Sequence, residues 1–162
     1  MPTPTVISCD TLHCVSEWNG NLIITWHGPP EATRIAAIRK SLEAMLTRGP
    51  AGIMVIMDAE RPFPPADARA EAAAMLKALG KQLTFLCVLY QGDSVVANLL
   101  FATIRTLSLV VGSQRVHLGR SLDDTAAFVA ARLGTPATPA QVKVALDAVR
   151  AQTAARRAAV PA

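Results

Sequence analysis

Two apolar periodicities alternate along this chain and predict its elements. Continuous apolar runs at residues 53–57 and 85–90 are typical of central strands covered on both faces. Before the first of these runs, apolar residues recur at helical spacing, as in Ile35, Ile38 and Leu42. The resulting prediction is strands at residues 12–18, 22–27, 53–57, 85–90 and 116–118, and helices at residues 31–48, 65–79, 95–111, 122–133 and 140–157.

Local signals set the ends of these elements. Asn19 and Gly20 lie between two apolar runs, which is a strong hairpin signal because both turn residues need positive φ. The predicted order is therefore an antiparallel hairpin followed by alternating helices and strands, which implies parallel pairing through right-handed crossovers.

The predicted fold is α/β, with a mixed, mostly parallel sheet, an N-terminal β-hairpin, packed helices and an appended C-terminal helix. Residues 1–134 form the α/β domain, and residues 135–162 comprise a linker and a helix with a frayed end. Both central strands are apolar on both faces, so something must cover the second face of the sheet. The C-terminal helix and a homodimer are the two alternatives.

Composition narrows the function classes. The 162 residues carry a net charge of +4 with scattered basic residues, and only 4% are aromatic, so a nucleic-acid surface is not predicted. An odd count of three cysteines, Cys9, Cys14 and Cys87, with no CxxC motif argues against a disulfide framework and a zinc site. No signal peptide is recognised at the N-terminus, so a cytoplasmic location is expected.

The turn after the strand at 53–57 lacks the residues that most chemistry needs. Catalysis in open α/β sheets occurs where parallel strands end. Residues 58–67 contain no Ser, Thr, Cys, His or Lys, and no Gly. We therefore predict a binding module with no catalytic residue, no cofactor and no metal.

Two catalytic hypotheses are weaker than their structural alternatives. Ser94 in Gly92-Asp93-Ser94 resembles a nucleophile, but helix capping by Asp93 or Ser94 explains the tripeptide. His27 and Asp58 are both expected at strand ends, where a His–carboxylate pair suits acid–base work. Alternatively, His27 is a half-exposed strand end.

The same turn is the predicted partner-binding surface. Asp58, Glu60 and Arg61 form a charged rim beside Phe63, which is flanked by prolines that limit the entropy lost on binding. The alternative is a solvated turn with Phe63 folded under the next helix.

The segment from residue 94 to residue 111 is the most apolar stretch of the chain, and three interpretations apply to it. It approaches the length of a membrane span, but Asn98, Arg105 and Ser108 argue against one. We favour a deeply packed helix with a narrow wet face. The third interpretation is an apolar surface for a partner, a second copy or a lipid.

Element order and spacing over residues 12–133 resemble the STAS domain, the SpoIIAA-like fold of anti-sigma factor antagonists. The matching features are the Asn19-Gly20 hairpin, the helix at 31–48, the strand ending at Asp58, and the elements that follow to residue 133. The resemblance implies binding to another protein, such as a regulatory kinase or an anti-sigma-like factor. In that family a serine at the start of the helix after the central strand is phosphorylated, and the added charge breaks the complex.

The phosphorylated serine of the family has no counterpart here, because residues 63–67 contain no hydroxyl. Asp67 lies near the corresponding position and would supply a permanent negative charge, or only stabilise the helix N-terminus. The predicted function is thus a non-catalytic interaction module with the partner surface Asp58, Glu60, Arg61, Phe63 and Asp67. The alternative is a carrier of a lipid-like or other apolar small molecule.

Overall fold

A computed structural model describes residues 3–58 and 63–159 of the chain. It is an α/β fold with one mixed sheet whose strands are ordered β1-β2-β3-β4-β5-β6. The strands are β1 (Thr5–Cys9), β2 (His13–Trp18), β3 (Asn21–Trp26), β4 (Ala51–Met57), β5 (Leu83–Tyr90) and β6 (Val116–Gly119). The helices are α1 (Ala32–Leu46), α2 (Ala66–Leu79), α3 (Ser94–Leu107), α4 (Leu122–Ala130) and α5 (Pro139–Ala159).

The N-terminal hairpin is confirmed. β2 and β3 pair antiparallel, and Asn19 and Gly20 have φ values of 50° and 71°. Positive φ at both positions matches the twist of the flanking strands, which is why this dipeptide closes hairpins.

β1 was not predicted, and it changes the chemistry of the N-terminus. It pairs antiparallel with β2 and places Cys9 directly opposite Cys14. The two cysteines form a disulfide, and only Cys87 stays free. The prediction of no disulfide is therefore wrong. The prediction rested on the number and spacing of the cysteines, whereas the bond depends on the pairing of β1 with β2, which places Cys9 opposite Cys14.

The parallel half of the sheet follows the sequence order. β3, β4, β5 and β6 are parallel neighbours, connected by α1, α2 and α3. These three helices pack on one face, where Leu22, Ile53 and Val88 belong to one buried cluster. The mostly parallel sheet predicted from the apolar runs is confirmed.

The second face is covered by α4 and α5. Val142, Leu146 and Val149 of α5 are buried against Ile23 of β3 and Met54 of β4. Since α5 supplies much of this core, it is an integral layer of the fold. It is the C-terminal helix, one of the two predicted alternatives, that covers this face.

Candidate functional site

The described residues of the predicted partner surface contact two different helices. The Asp58 carboxylate lies 3.5 Å from the Arg150 guanidinium of α5, on the face that α5 covers. Phe63 and Asp67 lead into α2, which packs on the opposite face beside α1. Glu60 and Arg61 fall outside the described residues. Asp58 thus contacts α5, whereas Phe63 contacts Arg69 of α2.

Phe63 remains accessible at the start of α2. Its side chain is 36% exposed, and the Arg69 guanidinium lies 5.5 Å from the ring centroid. Arg69 also donates to the Pro64 carbonyl at 3.1 Å, which fixes the guanidinium beside the ring. A cation over an aromatic face is an attractive contact. Phe63 is thus held in an exposed position and is not folded under the helix.

Asp67 stabilises the beginning of α2. Its carboxylate accepts a hydrogen bond from the Ala68 backbone N–H at 2.9 Å, and it lies in the first helical turn. A negative charge there matches the helix dipole. This contact accounts for Asp67 within the fold, and the side chain remains exposed.

Several large apolar side chains are exposed on α3 and on the turn that follows it. Val95 is 76% exposed, Leu99 is 56% exposed and Leu109 is 75% exposed, whereas Ala97 and Leu100 are the buried residues of the helix. The prediction of a deeply packed helix is therefore wrong. α3 follows β5 and precedes the four-residue edge strand β6, so little sheet lies beneath it. We call the exposed set the α3 stripe: Val95, Leu99, Ala102 and Thr106 of α3, and Leu109 in the 3-10 turn that follows the helix.

An apolar cavity of about 120 Å³ lies beneath α1, α2 and α3. Its wall includes Ile104 of α3, Ala72 of α2 and Val88 of β5. Ligand pockets usually enclose about 300–1,000 Å³. This cavity is closer to a space that holds one benzene-sized molecule.

Polar groups from several elements gather where the parallel strands end. His27 follows β3, Asp58 follows β4 and Gln91 follows β5, and Arg150 of α5 donates to the Gln91 side chain at 3.0 Å. His27 Nε2 is buried with no hydrogen-bond partner among the described residues. Desolvation and the nearby Arg157 lower the pKa of His27, while Asp58 raises it.

This edge is therefore more polar than the turn after β4 suggested. The residues that directly follow β4 do not indicate this, because Arg150 lies in α5, nearly a hundred residues later, and reaches the edge only in the folded chain.

A second polar group surrounds the turn between β1 and β2. The Asp10 carboxylate accepts from the Leu12 and His13 backbone N–H groups at 2.7 and 3.0 Å, and it contacts the Arg34 guanidinium. Arg34 Nε donates to Glu31 at 2.7 Å. His13 Nδ1 lies 3.1 Å from Arg34 Nη1, and its ring stacks on Trp26. Burial lowers the pKa of His13, and Glu31 raises it. This group ties α1 to the hairpin.

Among the residues that the structure describes, Ser94 Oγ is hydrogen-bonded to the Arg120 guanidinium and to no histidine or carboxylate. Arg120 Nη1 donates to Ser94 Oγ at 2.9 Å, and the same guanidinium donates to the Gly92 carbonyl at 2.9 Å. The Asp93 carboxylate accepts from the Val95 and Val96 N–H groups, so Asp93 is the helix cap. A serine nucleophile needs a base to take its proton. The arrangement around Ser94 is that of a capped helix start.

Other structural features bear on the remaining hypotheses. Burial raises the pKa of the Cys87 thiol to about 12, as expected for a small buried hydrophobe. Within residues 3–58 and 63–159, no three His, Cys, Asp or Glu residues come together as a metal site. Over the same ranges, every helix is too short or too polar to cross a bilayer.

Comparison with family models, with curated proteins and with solved structures finds no match to this chain. The resemblance to the STAS domain consequently stays a prediction.

Proposed function

We propose that this chain is a non-catalytic protein-binding module that resembles an anti-sigma factor antagonist without its phosphorylated serine. The observation that carries the proposal is the α3 stripe, with Val95, Leu99 and Leu109 largely in solvent. Apolar side chains scattered singly over a surface need no explanation, but a contiguous row of them marks an interaction site. Covering such a row with a partner removes apolar area from water, which stabilises the complex.

Two neighbouring features support the same function. Phe63 is held exposed at the start of α2, and α2 contacts α3, so the aromatic ring and the stripe belong to the same layer of helices. Aromatic side chains are among the residues that contribute most to protein interfaces. The polar groups at Ser94 are explained by capping, so they do not compete with this proposal.

Photocrosslinking in the native cell tests the proposal. A photoreactive amino acid at position 99 should give a crosslinked protein, because Leu99 lies in the middle of the stripe. Position 144 is the matched control, since Val144 is an apolar residue of α5 that is 69% exposed on the other face. If position 99 captures no protein, or captures lipid alone, the proposed function is wrong.

A carrier of a small apolar molecule is the second candidate, and the cavity beneath α3 favours it. Its volume limits the cargo to a molecule of about benzene size. Native mass spectrometry of the purified protein tests this candidate. A retained apolar ligand that is lost when Ala72 is replaced by Leu would support the carrier, and an unliganded mass would argue against it.

The compartment is part of the proposal. A cytoplasmic location follows from the sequence prediction, whereas the Cys9–Cys14 disulfide favours an oxidising compartment, where such bonds persist. Differential alkylation of the cysteines, followed by mass spectrometry of protein from the native cell, decides between them. Free Cys9 and Cys14 thiols would support the cytoplasm.

A further inference from the structure

β6 forms an open edge of the sheet. It pairs with β5, and within the described part of the chain the backbone of residues 117–119 makes no hydrogen bond beyond that ladder. A strand in this position presents unpaired N–H and C=O groups to one side. β1, at the opposite edge, has an irregular register between Val6 and Ser8, and such bulges are a common way to block an edge. The ladder of β6 is regular, so its edge can accept another strand.

A groove of about 320 Å³ lies beside this edge. Val116 and Leu118 of β6 line it, together with Arg105 in the last turn of α3. The two apolar side chains share one face of β6 because alternate residues of a strand point the same way. A strand added to the edge therefore places every second side chain over the groove.

Basic residues from different elements surround the start of β6. Arg115 directly precedes the strand, and its guanidinium donates to the Lys81 carbonyl at 3.1 Å and to the Leu83 carbonyl at 2.6 Å. Arg132, which follows α4, donates to the Gln114 carbonyl at 2.8 Å. Carbonyl oxygens are neutral acceptors, so these contacts hold both guanidinium groups in place without removing their charge.

The acidic residues nearest in sequence lie toward the other end of β6. Asp93 is the only acidic residue between positions 72 and 122. It lies beside Arg120, which follows β6 and donates to the residues on either side of Asp93. Asp123 and Asp124 lie in the first turn of α4, which also follows the end of β6. The end of β6 thus carries both signs of charge, whereas its start is basic.

We infer that β6 binds an extended, acidic segment of another protein, which adds to the sheet as a further strand. Arg105 is exposed and makes no side-chain hydrogen bond or ion pair within the described residues. Together with Arg115 and Arg132 it forms what we call the β6 basic cluster. Main-chain hydrogen bonds hold the segment on the open edge, its apolar side chains enter the groove, and its carboxylates meet the cluster.

This inference goes beyond the proposed function. It concerns the edge of the sheet, and it holds whether or not the α3 stripe binds a partner. Crosslinking from position 99 reports on the stripe, whereas the experiments below report on β6. The two can therefore fail separately.

The charge argues against a second copy of the chain as the added strand. Pairing two β6 edges would bring two β6 basic clusters into one interface, where like charges repel. An acidic segment removes this repulsion. Because β6 is only four residues long, the contact is small, and we expect a dissociation constant in the micromolar range.

Fluorescence anisotropy with the purified full chain tests the inference. The probe is a short labelled peptide of alternating valine and glutamate with blocked ends, and the control peptide has lysine in place of glutamate. The valine–glutamate peptide should bind, and the lysine peptide should bind at least about tenfold more weakly. Equal binding of the two peptides, or no binding of either at about millimolar concentration, would overturn the inference.

Two variants locate the binding of the valine–glutamate peptide. Arg105→Glu should weaken it at least about tenfold, because the new carboxylate faces those of the peptide. Arg156→Glu is the matched control and should bind like the wild type. Arg156 is exposed in the last turn of α5, and α5 packs on β1, β2 and β3. An equal loss in both variants would show that only the overall charge matters and would refute a site at β6.

The backbone contribution needs its own test, because charge alone can attract the peptide. N-methyl groups along the peptide backbone remove its hydrogen-bond donors, so the methylated valine–glutamate peptide should not bind. Amide hydrogen exchange of the outward-facing groups of β6 should slow when the unmodified peptide binds. Unchanged exchange, or equal binding of the methylated peptide, would refute the added strand.

Other partners give different results. Binding of single-stranded RNA or of anionic vesicles that is lost in Arg105→Glu, without binding of the peptide, would assign the β6 basic cluster to phosphate groups and overturn the inference. A wild type that dimerises through β6 in the absence of peptide would replace the acidic segment with a second copy and overturn it as well.

Discussion

Ala72 borders the cavity beneath the helices, so a larger side chain at this position tests how filling the cavity affects stability. Enlarging a side chain into empty apolar space adds buried area without opening a new cavity. We expect Ala72→Leu to raise the free energy of unfolding by about 1 kcal/mol. Urea denaturation of both variants is the measurement, and Ala70→Leu is the control, because Ala70 is exposed on the same helix and makes the same exchange in solvent. A lower stability for Ala72→Leu than for Ala70→Leu would mean that the space is too tight to accept the side chain.

The lowered pKa values of the three histidines indicate how the free energy of unfolding depends on pH. Desolvation is the largest cause that lowers the pKa of His13, His27 and His117 below the usual 6.5. A histidine with a lowered pKa in the folded state is protonated first in the unfolded state, so stability is complete above about pH 6.5 and falls as the pH drops through that value. Urea denaturation at about pH 7.5 and about pH 5.5 should show lower stability at the acidic pH.

The variant His13→Gln tests how much of this acid destabilisation comes from His13. It should lose less stability than the wild type between about pH 7.5 and about pH 5.5, because glutamine does not titrate. Measurements between about pH 7.5 and about pH 9 serve as the control, because both proteins should show the same change there, including the loss that the raised pKa of the Cys87 thiol causes as the pH rises. An equal acid loss in both proteins would assign the effect to other groups.

The chemistry around His13 could not be predicted from local sequence. Asp10 and His13 are close in the chain, but Arg34 comes from α1 and Trp26 from β3. Only the register of β2 on β3, with His13 opposite Trp26, brings them together. For Phe63, the sequence left an exposed contact residue and a ring folded under the helix as alternatives, and the 36% exposure of the side chain decides between them.

β1 is fastened to β2 by hydrogen bonds and by the Cys9–Cys14 disulfide. The disulfide closes a short loop, and loop-entropy arguments give it about 2 kcal/mol of stabilisation. We expect a reducing agent to lower the free energy of unfolding by that amount, measured by urea denaturation with and without reductant. The double variant Cys9→Ala/Cys14→Ala should not respond to the reductant. A response of the double variant would show that the reductant acts elsewhere.

The central elements could be predicted from apolar patterns because burial on both faces leaves a continuous signal in β4 and β5. β1 could not, since its residues are mostly exposed or half-buried and do not alternate clearly. The prediction that α3 is deeply packed was wrong for another reason. Its composition is that of a buried helix, but composition does not reveal how much sheet lies beneath it, and the short edge strand β6 covers little.

α5 completes the molecule by covering a whole face of the sheet. It contributes Val142, Leu146 and Val149 to the second core, and its Thr153 hydroxyl lies 3.3 Å from that of Thr25 in β3. A chain ending at residue 134 should therefore lose cooperative unfolding and bind a dye specific for exposed apolar surface. A chain ending at Ala159 is the control and should unfold like the full chain. Cooperative unfolding of the shorter chain would show that α4 and the sheet suffice.

The sheet is built in the order in which its strands leave the ribosome, so each new strand finds its neighbour already made. The layer formed by α5 does not follow this order, because Thr153 of α5 contacts β3 at Thr25, which is synthesised 128 residues earlier. Until that return, nascent chains carry a bare apolar sheet face, and such surfaces make incomplete chains prone to aggregation. We therefore expect ribosome-associated chaperones to engage this protein late in translation and to leave once its final helix has emerged.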